Sequence, residues 1–219
     1  EMVPRPFLSS CNEHCLETGR DLSHGGAQYN IGPVITGIGL AVVANSLAAI
    51  QKLVFEEHRC DMATLAKALQ ANWNGYEELR AAAKAAPKYG NDDNRVDGIA
   101  REVANHFYDE IHQYHDIFGS PFLTAFMGIS NYIPMGRVLG ATPDGRCAGE
   151  PSSEGVSPYV GTDVSTPLAA MRSAAKLNQD VHSGGTLLNL RLDHNLVATK
   201  RGQANLGAMI QTLFAMGAF

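Results

Sequence analysis

Apolar residues recur at steps of three and four through the first half of the chain, a spacing that predicts helices. Pro6 to Thr18 suits one short helix, and the glycine-rich stretch from Gly19 to Pro33 suits a loop. Thr36 to Phe55 keeps the helical period, with Ile38, Val42, Leu47, Ile50 and Val54 as the inward positions. Asp61 is a fitting N-cap for a helix from Met62 to Ala71. Gly75 to Ala86 suits another helix, stopped by Pro87. Asn91-Asp92-Asp93 then opens a long helix on which Val96, Ile99, Val103, Phe107, Ile111 and Tyr114 share a face, with Gly119-Ser120-Pro121 at its end.

The pattern changes in the second half. Phe122 to Arg137 is rich in aromatic and β-branched residues and reads as a strand with irregular ends. Val138 to Thr166 is a long loop punctuated by glycine and proline. Loops beyond about 15 residues are usually functional or disordered, and the specific order of residues here argues against disorder. Pro167 to Leu177 reads as a helix with proline in its first turn, Gly185 to Leu192 as a strand, and Ala204 to Met216 as a last helix. That helix has no stop signal before Gly217-Ala218-Phe219, and the chain begins without Met. Both features predict that it is cut from something larger.

Composition narrows the class. The chain has 219 residues, 45% hydrophobic and 18% charged, enough for a sizeable core. A formal charge of −5 with no basic cluster argues against a nucleic-acid partner. The longest apolar runs are broken by Gly, Thr, Asn and Ser, short of the roughly 20 apolar residues of a membrane helix, so no membrane association is expected. Four cysteines do not suggest a disulfide framework, and a cytoplasmic location follows as an expectation.

Four blocks stand out. The first is Gly25-Gly26-Ala27-Gln28-Tyr29-Asn30, followed by Asn45-Ser46-Leu47-Ala48-Ala49-Ile50. The second is Pro87-Lys88-Tyr89-Gly90-Asn91-Asp92-Asp93, with Arg95-Val96-Asp97. The third is Ala141-Thr142-Pro143-Asp144-Gly145-Arg146, running through Gly149-Glu150-Pro151 to Gly155-Val156-Ser157-Pro158. The fourth is Gly184-Gly185-Thr186-Leu187-Leu188-Asn189. Together, in this order, they resemble the glycyl radical enzymes of the pyruvate formate-lyase type, in the lyase and dehydratase branch.

The resemblance covers nearly the whole chain and implies an α/β fold: part of a ten-stranded α/β barrel, helix-rich in this stretch, with residues 1–219 as its central-to-C-terminal part. It implies anaerobic chemistry in which a cysteine thiyl takes a substrate hydrogen and a neighbouring group leaves. It also implies a radical SAM activating enzyme that installs a glycyl radical, a small-molecule substrate, a homodimer, and a bacterial microcompartment as one possible setting. The catalytic cysteine loop and the glycyl radical domain are expected outside this chain. No catalytic residue, metal ligand or bound cofactor is therefore assigned to it, and alone it is expected to be inactive.

Individual residues refine that reading. Cys11 and Cys15 are four apart beside His14, but a metal site generally needs three or four ligands, and position 18 is Thr. Cys60 and Cys147 read as incidental. The pairs Gly25-Gly26 and Gly184-Gly185 fit neither a Walker pattern nor a dinucleotide fingerprint, and read as sites of tight turns and close backbone approach. His106, His112 and His115 read as a solvated helical face.

In the stretch from Leu187 to Asp193, alternation puts Asn189, Arg191 and Asp193 on one side and Leu188, Leu190 and Leu192 on the other. Arg191 facing a cavity suits a carboxylate or sulfonate through its fixed fork of donors. The alternative is a structural ion pair with Asp193 or another carboxylate. Asn189 and Arg191 are thus the substrate-binding candidates. Thr142, Asp144, Gly145 and Arg146 are assigned a structural role in the signature loop. Tyr29-Asn30 and Asn131-Tyr132 are further polar residues that could approach the cavity.

The favoured function is a glycyl radical lyase acting on a small sulfonate, with C–S cleavage releasing sulfite. The alternatives are a diol or hydroxyproline dehydratase, a formate acetyltransferase, or, in another class, a non-catalytic fragment or a metal-binding helical protein.

Overall fold

The computed structural model describes residues 3–29 and 31–217. Its elements are α1 (Pro6–Ser10), α2 (Glu13–Thr18), β1 (Val34–Thr36), α3 (Leu40–Ile50), α4 (Met62–Gln70), α5 (Glu77–Lys84), α6 (Asn94–Ile111), β2 (Leu123–Ala125), α7 (Tyr132–Val138), α8 (Pro167–Ala175), α9 (His194–Val197) and α10 (Lys200–Ala215).

The helix starts follow local chemistry. Asp61 Oδ1 accepts from the Thr64 N–H at 2.7 Å, and Asp93 Oδ1 accepts from the Arg95 N–H at 2.9 Å. Thr166 Oγ1 accepts from the Ala169 N–H at 3.2 Å, with Pro167 in the first helical position. The expected helix from Pro6 to Thr18 is two helices. Asn12 interrupts it and caps the second by accepting from the Cys15 N–H.

The main core lies between α3, α6 and α8. Ala41, Ala44 and Ala48 of α3 meet Val96, Ala100 and Ala104 of α6, with Leu40, Tyr89, Phe126, Val156 and Leu177 around them. Small side chains on both helices permit close approach, and each large buried side chain adds about 1.5–3 kcal/mol. The inward face of α3 includes Val42, as expected, but is otherwise shifted. Leu47 is exposed, while Ala44, Asn45 and Ala48 are buried.

Beyond Ile50 the helix widens into one wide turn, Gln51–Glu56, with the Glu57 N–H donating to the Lys52 carbonyl at 2.8 Å. This delivers Leu53 and Val54 to a second core with Leu65, Ala68, Trp73 and Ala83.

Two further expectations are corrected. Only Leu123–Ala125 of the stretch from Phe122 to Arg137 is a strand, and Tyr132–Val138 is a helix whose Pro134 falls in the first turn, where no N–H is needed. The stretch from Gly185 to Leu192 is extended but forms a single bridge, Thr186 to Phe126, rather than a strand. Tyr114 lies beyond the end of α6 and is exposed. No helix among the described residues is long and apolar enough to cross a membrane.

Candidate functional site

Three parallel segments make a wall. β1 pairs with β2 in the register Val34 to Leu123, Ile35 to Thr124 and Thr36 to Ala125. On the far side of β2, the Phe126 N–H donates to the Gly185 carbonyl and the Leu187 N–H to the Phe126 carbonyl, both at 2.9 Å. The loop then joins the wall, because the Val156 N–H donates to the Leu187 carbonyl at 2.9 Å.

The wall has two faces. Phe126 and Leu188 pack into the helical core, which defines the outer face. Alternation places Val34, Thr36, Leu123, Ala125, Leu187 and Asn189 on the inner one. Two glycines allow this packing. A Cβ on Gly184 would lie 2.5 Å from Val34 Cγ1, and one on Gly155, at φ +51°, would lie 2.2 Å from the Leu187 carbonyl oxygen.

Asn189 is tied to the loop twice. Its N–H donates to Ser157 Oγ at 2.8 Å, and its Nδ2 donates to Glu154 Oε2. The other carboxylate oxygen of Glu154 is buried without a partner among the described residues. Arg191 is exposed and makes no ion pair among the described residues. Asp193 does not hold it. Its carboxylate caps α9, accepting from the Asn195 N–H at 2.7 Å.

The outer face of β2 carries a histidine. Thr124 Oγ1 and His182 Nδ1 share a hydrogen bond of 2.8 Å. The ring stands edge-on to Phe126 at 4.9 Å between centroids, and burial lowers its proton affinity below the ordinary histidine range.

The signature loop is organised from within. Arg146, 2% exposed, donates through Nη1 to the carbonyls of Cys147 at 3.0 Å and Glu150 at 2.6 Å, and through Nη2 to that of Gly140. Asp144 accepts from the Thr142 hydroxyl at 2.6 Å and from the Arg146 N–H at 3.3 Å. Residues outside the loop clamp it, and Asn72 Oδ1 accepts from the Ala148 N–H at 2.7 Å. Trp73 Nε1 donates to the Arg146 carbonyl at 3.2 Å, and Arg80 Nε to the Gly145 carbonyl at 3.0 Å.

Beside the loop lies a cavity of about 960 Å³, walled by the end of α5, Tyr132 and the stretch from Tyr159 to Val164. Lys88 lines it, donating to the Ala83 and Ala86 carbonyls at 2.7 and 3.1 Å, and burial lowers its amine to about 8. Lys88 closes the end of α5, which its contacts explain without a ligand.

The other candidates are scattered. Tyr29 is exposed, and Asn30 lies outside the described residues. Cys11 is exposed while Cys15 is buried in α2, so they do not share a face. His112 stacks on Tyr108 at 4.9 Å. Among the described residues no three His, Cys, Asp or Glu side chains cluster as metal ligands. The sequence reading missed Glu154 and His182. The only local signal was a lone carboxylate and a lone histidine, each beside a glycine-rich turn.

Comparisons with known proteins agree with one another. The family described as Pyruvate formate lyase-like matches residues 1–136, and the one described as Glycine radical matches residues 152–219. The chain is 37% identical over 215 residues to the trans-4-hydroxy-L-proline dehydratase of Clostridioides difficile, covering 98% of this chain and 27% of that one. It is 33% identical over 213 residues to the isethionate sulfite-lyase of Desulfovibrio desulfuricans, covering 92% and 24%. The glycerol-bound B12-independent glycerol dehydratase from Clostridium butyricum superposes with a TM-score of 0.95 at 38% identity, over 98% of this chain and 27% of that one. The chain thus spans about a quarter of the length of these relatives. The Glycine radical match begins inside this chain, at residue 152, whereas the sequence reading placed that domain wholly outside it.

Proposed function

The chain belongs to the pyruvate formate lyase-like glycyl radical enzymes, and from that premise we propose that it contributes the anion-holding part of the site of a lyase acting on a small anionic substrate. Its parallel segments are part of the family's ten-stranded α/β barrel. The glycyl radical of the family would supply, by way of a cysteine thiyl, the abstraction of a hydrogen atom from the substrate.

This chain's own residues do simpler work. Val34, Leu123, Ala125 and Leu187 give the inner face an apolar surface that excludes water. Asn189, held by Glu154 and Ser157, sits on the segment that runs on to Arg191. The observation that carries the proposal is Arg191 itself, an exposed guanidinium without an ion-pair partner among the described residues, because Asp193 is spent on capping α9. Its fork of donors fits a sulfonate or a carboxylate.

A sulfonate, cleaved at C–S with release of sulfite, is the first reading. Loss of water from a hydroxylated carboxylate is the second. It is favoured by 37% identity to the hydroxyproline dehydratase against 33% to the sulfite-lyase. Activation by a radical SAM enzyme, a cytoplasmic location and a homodimeric assembly belong to the same proposal.

The test offers the full-length enzyme, activated without oxygen, isethionate, trans-4-hydroxy-L-proline and glycerol in turn. Turnover of isethionate or of trans-4-hydroxy-L-proline, each offering an anionic group, is expected, with KM raised roughly tenfold to hundredfold by Arg191→Ala. Turnover of glycerol alone, indifferent to Arg191→Ala, would sink the proposal. Sulfite release separates the first reading from the second.

A further inference from the structure

We propose that His182 is a positioning residue that holds the segment carrying Asn189 and Arg191 in register on β2, a proposal that rests on the reading of Arg191 given above. His182 is 3% exposed and reaches in two directions. Its ring nitrogen Nδ1 shares the 2.8 Å hydrogen bond with Thr124 in β2. Its backbone carbonyl accepts from the Gly185 N–H at 2.8 Å, at the root of the extended segment.

The same root is tied further, and the Gly184 N–H donates to the Thr124 carbonyl at 3.0 Å. The Thr186 hydroxyl donates to Gln179 Oε1 at 2.8 Å, and the His182 N–H donates to the Gln179 carbonyl at 3.0 Å. Beyond this root, the segment has the rung to Phe126 and the bonds to Val156, Ser157 and Glu154, with no full strand on either side. Its direction therefore depends on how the root is anchored.

The choice of histidine needs that explanation. Phe126 and Tyr108 surround the ring, at 4.9 and 6.3 Å between centroids. Nε2 is buried without a partner among the described residues. An apolar ring would fill this place without desolvating a nitrogen, so the bond to Thr124 is what a histidine adds. Residue 191 lies nine positions beyond this anchor, where a small rotation at the root shifts the guanidinium. Misplacement by about 1 Å can cost roughly a hundredfold in a positioned interaction.

The test uses the full-length activated enzyme with whichever of isethionate and trans-4-hydroxy-L-proline it turns over. His182→Phe keeps the ring and removes the bond. It is expected to raise KM roughly tenfold while kcat changes less, and Thr124→Val should do the same. His182→Asn, whose amide can meet Thr124, should restore most of the loss. In an Arg191→Ala background His182→Phe should add nothing, because its effect passes through that arginine.

Two results would overturn the proposal: an equal rise in KM in both backgrounds, or an unchanged KM in a variant of normal stability. If Arg191→Ala itself leaves KM unchanged, the reading of Arg191 has failed. If Arg191→Ala raises KM and His182→Phe does not, only the role of His182 has failed.

Discussion

The Tyr89 hydroxyl donates to the Val156 carbonyl at 2.9 Å, fully buried in the main core. The Tyr89 N–H also donates to Asn45 Oδ1 at 2.7 Å. One tyrosine thus joins three of the four sequence blocks: α3, the turn before α6, and the tail of the signature loop. Desolvation, with a further push from the Asp97 charge, raises its phenol well above the ordinary range, so it remains a donor at any working pH. Val156 in turn holds Leu187, so the bond supports the wall on which Asn189 sits.

Tyr89→Phe keeps the packed ring and strands the Val156 carbonyl. A loss of about 1–3 kcal/mol is expected, because an unpaired buried acceptor carries its full desolvation cost. Denaturant unfolding of wild type and variant would measure it. A difference within about 0.5 kcal/mol, the range of ordinary surface substitutions, would show that the bond contributes little.

Arg146→Lys keeps the charge but replaces a planar fork by a point donor. Three carbonyls, of Gly140, Cys147 and Glu150, converge on the guanidinium, and one ammonium cannot meet them in the same geometry. A loss of at least about 2 kcal/mol is expected, read as a fall in thermal midpoint. Arg146→Lys melting with wild type would mean that charge alone organises the loop.

Much of the helical framework was legible because long amphipathic runs and caps are local signals. Asp61 and Asp93 stand where the chain turns into α4 and α6, within a residue or two of expectation. What was not legible depends on partners far along the chain. The buried face of α3 is largely alanine, which carries little hydrophobic signal, so the apolar pattern points to Leu47 instead. The stretch from Gly185 to Leu192 alternates like a strand, but its neighbours are Phe126, just past the end of β2, and a loop, so no ladder forms. Glu154 meets Asn189 across 35 residues and His182 meets Thr124 across 58, pairings that no local pattern announces. Family resemblance supplied the barrel, which two short strands would not have revealed.

The ion cluster between α6 and α8 gives a pH-dependent prediction. Lys176 Nζ lies 2.7 Å from Asp97 Oδ2 and 2.6 Å from Asp92 Oδ1, and Arg172 pairs with Asp92 at 3.2 Å. Asp97 is fully buried, and its desolvation outweighs the pairing, so its carboxyl sits above the usual range. Lys176 is also opposed by burial, but its bonds to Asp92 and Asp97 prevail and raise it. Asp92, bonded by Lys176, is lowered and stays ionised.

Lys176→Met leaves Asp97 charged and buried, at a cost of about 3 kcal/mol near neutral pH. That cost exists only while Asp97 is ionised. A raised folded pKa means that the folded state binds the proton more tightly than the unfolded state. The deficit is therefore full above the folded pKa and shrinks as pH falls through it toward the unfolded value near 4. Asp97→Asn removes the charge and is expected to cost less, without that pH trend. Unfolding of both variants between pH 7.5 and 4.5, as a difference from wild type at each pH, makes the check. A Lys176→Met deficit that stays constant over this range would show that the lysine acts by packing rather than by compensating Asp97.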